Sequence, residues 1–141
     1  PVFEPFLAVS PRDSTVLVIE SWSVLSDDTA LVAVDPRDGS SENLLKDYQD
    51  ARILPQWPVW SPDGAGVAFT AGIGNLYVLN VDTGSLQRIG HGYVGRMLWS
   101  PDGSMLAAAR SSEGFCWLSV RIGEIEGCLE TTTYGDPLAW R

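Results

Sequence analysis

A five-residue string, Trp60-Ser61-Pro62-Asp63-Gly64, returns 39 residues later as Trp99-Ser100-Pro101-Asp102-Gly103. The same offset pairs Ala68 with Ala107, Leu79 with Leu118, Val81 with Val120 and Gly84 with Gly123. Nine identities spread over the start, middle and end of one unit are hard to obtain by chance. A period of this length belongs to chains built from stacked supersecondary units. An earlier, degenerate copy opens with Val9-Ser10-Pro11-Arg12-Asp13, and its Leu31–Gly39 stretch lines up with Leu76–Gly84 at an offset of 45. Near the end, Leu138-Ala139-Trp140 repeats Met97-Leu98-Trp99. The chain holds three units and the opening of a fourth.

Each unit reads as four short strands. In the middle copy these are Trp57–Trp60, Gly66–Thr70, Asn75–Val81 and Leu86–Ile89. Apolar, β-branched and aromatic residues fill the runs, and Gly, Pro, Asp or Asn separate them. No window of helical length carries a 3.6-residue stripe, and Ser41–Tyr48 is the one alternative for a short helical turn. Ser-Pro-Asp-Gly is a turn with a mechanism. Pro presets φ, Asp accepts from nearby amides, and Gly supplies a positive φ. So Ser61, Pro62, Asp63 and Gly64, like Ser100, Pro101, Asp102 and Gly103, join a first strand to a second. Asp82-Thr83-Gly84 closes the third strand onto the fourth. The large flat Trp before each Ser-Pro-Asp-Gly suits packing between neighbouring sheets.

In these residues the chain resembles the TolB-type β-propeller repeat, a relative of the WD repeat. That pattern runs aromatic, Ser-Pro-Asp-Gly, apolar strand, then a Leu-Tyr-Val-like strand ending in Asp-x-x-Thr-Gly. Copy two, Trp57–Gly90, matches nearly throughout, and copy three, Arg96–Leu129, keeps the first half. Copy one lacks the Trp and Gly of the first turn and carries two insertions. The resemblance implies an all-β fold, a partial β-propeller of four-stranded antiparallel blades around a channel. The expected blades are residues 5–46, 57–89 and 96–130, with the first strand of a fourth at 137–141. Propellers close with roughly four to eight blades, so 1–141 is expected to be one propeller segment of a longer chain. The alternative is self-association of two such chains into one ring. The start at Pro1 fits a mature product or a piece of something longer.

Composition narrows the function classes. With 9 Lys+Arg against 18 Asp+Glu the net charge is -9, which argues against phosphate recognition and so against nucleic acid. Apolar runs such as Ala30–Val34 and Met105–Ala109 are far shorter than the ~20 residues of a membrane-spanning helix.

Function is expected on one face of the ring. First-to-second and third-to-fourth turns lie at one end of a blade, and both insertions of copy one, within Ser21–Asp28 and Leu45–Gln56, lie at the other. Loops held on a rigid scaffold are the usual place for recognition. That end gathers Trp22, Asp27, Asp28, Tyr48, Asp50 and Arg52 from copy one. Copies two and three add His91, Tyr93, Arg110 and Glu113. Aromatic residues and Arg among carboxylates suit a protein-binding surface. Asp27, Asp28, Asp47 and Asp50 point to a basic partner.

No metal or cofactor is expected. The acidic residues lack calcium-loop spacing and His91 is the only histidine. No Gly-x-Ser-x-Gly elbow occurs. In the sialidase Asp-box a Thr-Trp follows the Gly, whereas here Gly64 precedes Ala65 and Gly103 precedes Ser104. The expectation is a non-catalytic scaffold for a protein partner. One alternative is the propeller domain of a prolyl-oligopeptidase-like serine hydrolase, which the resemblance also implies. Another is a small ligand or sugar at the channel mouth, held by Trp22, Tyr48 and Tyr93. Cys116 and Cys128 fall nearly opposite each other in the third and fourth strands of copy three. They form either a cross-strand disulfide, which suits a periplasmic or extracellular protein, or two buried thiols.

Overall fold

The computed structural model describes residues 7–21, 29–51, 53–111, 114–121 and 123–129. Among these residues twelve strands form three four-stranded antiparallel sheets, each in sequential order. The first holds β1 (Leu7–Val9), β2 (Val16–Ser21), β3 (Thr29–Val34) and β4 (Ser41–Asn43). The second holds β5 (Pro55–Trp60), β6 (Gly66–Ala71), β7 (Asn75–Asn80) and β8 (Leu86–Gly90). The third holds β9 (Tyr93–Trp99), β10 (Met105–Arg110), β11 (Gly114–Ser119) and β12 (Ile125–Leu129). The expected strand at 137–141 lies outside the described residues.

The repeated turn behaves as its chemistry dictates. The amide of Gly64 donates to the Ser61 carbonyl, and Gly64 takes a φ of 70°. The Asp63 carboxylate accepts from the Ser61 hydroxyl and the Ala65 amide, while the Ser61 hydroxyl accepts from Gly66. Ser100, Asp102, Ser104 and Met105 repeat this network, with Gly103 at a φ of 73°. Copy one closes a turn of equal length differently. Ser10 still donates to Thr15, but the carboxylate has moved one place on, to Asp13, and the left-handed residue is Ser14.

The core is the space between sheets. One cluster joins the first two blades through Leu17, Leu31, Leu45, Trp60, Val67, Phe69 and Leu79. The other joins the second and third through Leu76, Ile89, Met97, Trp99, Leu106 and Leu118. Alternation explains the sidedness: in β6, Val67 and Phe69 face the first blade while Ala68 faces the third. Each motif Trp anchors its blade on the preceding one. The Trp60 indole donates to the Ala8 carbonyl, and the Trp99 indole donates to the Val59 carbonyl. The inner strands β1, β5 and β9 therefore stand side by side.

Three sequence expectations shift. Ser41–Asn43 is a strand, and a 3-10 helix runs Lys46–Ala51 with a kink at Tyr48. The turn begins later because the Leu44 amide still donates to the Leu31 carbonyl of β3, and Asn43 caps Leu45. The third strand of copy two ends at Asn80, since the Asn80 side chain accepts from Asp82 and Thr83 and so opens the turn. The inner strands begin earlier than expected, at Pro55 and Tyr93. Each absorbs its Pro or Gly in a bulge, between Gln56 and Val59 in β5 and between Val94 and Met97 in β9.

Candidate functional site

The two ends of the blades have different chemistry. One end, the turn face, carries β1–β2, β3–β4, β5–β6, β7–β8, β9–β10 and β11–β12, all closed by short hydrogen-bonded turns. Its carboxylates are committed locally. Asp35 is held down to about 2 by hydrogen bonds from the Arg37 side chain and amide, and Asp102 to about 2 by Ser100 and Ser104. Asp13, Asp38 and Asp63 lie below the usual carboxylate range because Thr15, Ser40 and Ser61, respectively, donate to them. Asp82 is lowered by Arg12, which reaches from the first blade to make a two-pronged ion pair at 3.0 and 3.1 Å.

These shifts give stability an acid dependence. A carboxylate whose folded pKa lies below its unfolded value of about 3.9 stabilises the native state above that value. The contribution is lost as pH falls through the folded pKa. The urea midpoint is therefore expected to stay level from pH 7 to 5 and to fall between pH 4 and 2, with Asp102→Asn flattening part of that fall. A midpoint unchanged at pH 3 would contradict this.

The opposite end, the loop face, holds among the described residues the connections 72–74 and 91–92 and the ends of β2, β4 and β10. Trp22, Asp27, Asp28, Arg52 and Glu113, and the side chain of Asp50, lie outside the described residues. Those that are described divide. His91 is exposed in the two-residue turn between β8 and β9, and Arg110 ends β10 with its side chain alongside Gly92 of that turn. Asp47 is exposed on the 3-10 helix.

Two predicted surface residues are placed otherwise. Tyr93 is 2% exposed, because its ring fills the place a side chain would take at Gly90: a Cβ there would come 2.6 Å from the ring. Tyr48, half-buried on the 3-10 helix, is a strut between blades. Its hydroxyl donates to the Gly84 carbonyl and accepts from the Leu86 amide. Strand twist is the reason. Successive strands rotate by about 20–25°, so an outer turn of one blade swings toward the outer strand of the blade before it. The same lean brings Gly123 onto Ile89, where a Cβ would sit 2.8 Å from the carbonyl oxygen.

Three further residues mark the loop face. Ile73, at the tip of the β6–β7 turn, is 97% exposed. Trp57 sits in the β5 bulge with a φ of 54°, and the Arg96 guanidinium of the neighbouring blade lies 5.8 Å over its ring. Arg110 lies 5.8 Å over the Tyr93 ring in the same way. Trp57 and Arg96 are related by the 39-residue offset, a signal already present in the sequence. Their contact was not legible, because equivalent positions touch only if the bulges of adjacent blades align. Among the described residues no three His, Cys, Asp or Glu side chains converge as a metal site. At the third blade's outer edge, Cys116 and Cys128 are direct cross-strand partners and form a disulfide.

No protein-family model and no curated protein matches the sequence. Solved structures do match. A chain in the crystal structure of a mitotic checkpoint complex is similar with a TM-score of 0.66 at 19% identity, over 89% of this chain and 36% of that one. The tricorn protease gives 0.65 at 11% identity, over 89% and 13%. The β-propeller domain of the Trilobed protease from Pyrococcus furiosus gives 0.65 at 15%, over 90% and 43%. This chain spans less than half the length of each of them. At such identities the likeness carries the fold alone, and with the sheet order it is decisive: the chain is an all-β protein whose four-stranded antiparallel sheets are blades of a β-propeller.

Proposed function

We propose that the chain is a non-catalytic, TolB-like propeller scaffold that binds a protein partner through its loop face. The observation that carries this reading is the asymmetry of the two ends. On the turn face, polar side chains are spent on closing turns and clasping blades, down to the Ser61 and Ser100 hydroxyls. The loop face instead carries an exposed Ile73, an exposed His91 and two Arg–aromatic pairs. Trp, Tyr and Arg are the residue types that dominate binding hot spots. The Cys116–Cys128 disulfide suits an oxidising compartment, periplasmic or extracellular.

A photo-crosslinker at His91 is expected to capture a discrete partner in cells, one at Asp38 on the turn face is not, and deletion of Trp22–Asp28 abolishes the capture. Equal capture from both positions would sink the reading, as would capture from Asp38 alone.

A second reading has an observation in its favour: two of the similar structures are of proteases. In that case the blades would filter substrates for a hydrolase domain of the same protein. A Gly-x-Ser-x-Gly segment encoded downstream in the gene supports it, and its absence from the full gene removes it.

A further inference from the structure

Each blade has one side that seats on the blade before it and one that receives the blade after it. In the second blade Trp60, Val67 and Phe69 seat on the first, while Ala68, Leu76 and Val78 receive the third. The amides of Ser10, Ser61 and Ser100, which donate to Thr15, Gly66 and Met105, fix which positions correspond between blades. By that register Val9, Val16 and Val18 are the seating positions of the first blade, and Ala107, Phe115 and Trp117 the receiving positions of the third. Both end faces are more open than their inner counterparts. Val9 is 62% exposed and Leu7, on the same side of β1, is 63%, where Trp60 and Trp99 are 9% and 8%. Ala107 is half-buried where Ala68 is fully buried. The receiving face is level, because the Trp117 ring lies across Gly127 in the space a side chain there would take.

Charge on the turn face gives a second, independent sign. The pair that clasps the first blade to the second joins Arg12, two places after Ser10, to Asp82, two places after Asn80. The turn hydrogen bonds that make Asp35 equivalent to Asn80 put Arg37 at the Asp82 position of the first blade. Asp102 holds the Arg12 position of the third. A third blade followed by a first therefore sets Asp102 opposite Arg37, the same clasp with its signs exchanged. Asp102 accepts its hydrogen bonds from Ser100 and Ser104 on Oδ1, and Arg37 gives Nε and Nη2 to Asp35. Oδ2 and Nη1 are the atoms left to meet. Asp63 and Arg121 hold these positions between the second and third blades, opposite in sign, although among the described residues they make no ion pair. Asp35 and Asp38 flank Arg37 and offset its charge, so the clasp sets register and the apolar faces supply affinity.

We propose that the seating face of the first blade docks on the receiving face of the third blade of a second copy, so that two chains close one ring of six blades. A second copy fits because it brings the apolar row of Leu7, Val9, Val16 and Val18 together with Arg37 at the place where Asp102 stands. The contact is head to tail: each chain gives one face and receives with the other, and a rotation that closes makes both contacts at once. Six blades fall within the roughly four to eight that close a propeller. The loop face takes no part in this contact, so the proposal stands apart from the partner-binding reading.

The test is analytical ultracentrifugation of the full chain from low micromolar to near-millimolar concentration, with twice the mass of one chain as the expected result. Leu7→Asp/Val9→Asp puts two carboxylates into the apolar contact and raises the dissociation constant by more than about a hundredfold. Arg37→Glu sets like charges together and raises it by about tenfold. Ala107→Asp blocks the other face. Neither Leu7→Asp/Val9→Asp nor Ala107→Asp associates alone, yet their equimolar mixture regains a dimer through the one contact in which both faces are native. Unfolded variants could not do this, so the mixture separates loss of contact from loss of fold. A monomer throughout the range overturns the proposal and leaves the two faces to further blades of a longer chain. So does a mass beyond two chains, association unchanged in Leu7→Asp/Val9→Asp, or a mixture that associates no better than its components.

Discussion

Replacing Trp99 with Ala is expected to lower the unfolding free energy by about 3–5 kcal/mol, the usual cost of removing a large aromatic from a core. Trp99 is 8% exposed and packs among Leu76, Met97, Leu106 and Leu118, so its removal empties the seam between the second and third blades. Typical domains hold only about 5–15 kcal/mol in total, which makes this one change comparable to the whole reserve. Trp99→Phe separates the contributions. It keeps most of the ring but loses the indole donor to the Val59 carbonyl, for about 0.5–1.5 kcal/mol. Urea unfolding of both variants checks this. A loss below about 1 kcal/mol for Trp99→Ala would mean that the seam collapses around the cavity and is not anchored by the indole.

The second large effect concerns the outer edge of the third blade. Cys116 and Cys128 are separated by 12 residues, and a loop of that size closed by a disulfide is stabilised by about 2–3 kcal/mol through the unfolded state. The double variant Cys116→Ala/Cys128→Ala is expected to lose that amount. The loss should be concentrated in β12, which is also held by its ladder to β11 and the turn at Gly123. Hydrogen exchange gives the local readout: amides of β12 lose protection before those of β10. Equal protection of the two strands in wild type and variant would show that the bond adds nothing to the hold of β12. The urea midpoint gives the global value.

Part of the loop face was legible before any coordinates. The place of the two insertions follows from counting strands, and so does the grouping of His91 and Arg110 at that end. The packing of Tyr93 and Tyr48 was not legible, for a common reason. Both look like exposed loop aromatics when read locally, Tyr93 following His91-Gly92 and Tyr48 set between Asp47 and Gln49. Tyr93 is buried because Gly90 vacates the space beside it, and Tyr48 is half-buried because a turn 36 residues away leans onto its hydroxyl. The Gly90-His91-Gly92-Tyr93 run held the hint for the first. Nothing near Tyr48 held one for the second. Trp57 was missed because Trp57-Pro58 reads as the ragged start of a strand, whereas the strand begins at Pro55 and bulges through it.

What the chain determined by its sequence alone is the period and the blade. Pro, Asp and Gly act within a turn of four or five residues, and strand alternation acts within six, so local chemistry writes both plainly. The tertiary structure decided which distant residues meet. Arg12 finds Asp82 at a separation of 70 residues, Tyr48 finds Gly84 at 36, and Arg96 settles over Trp57. Those meetings depend on the twist within each sheet and the depth to which Trp60 and Trp99 seat one blade on another. Both are properties of packed sheets, and no single stretch of chain contains them.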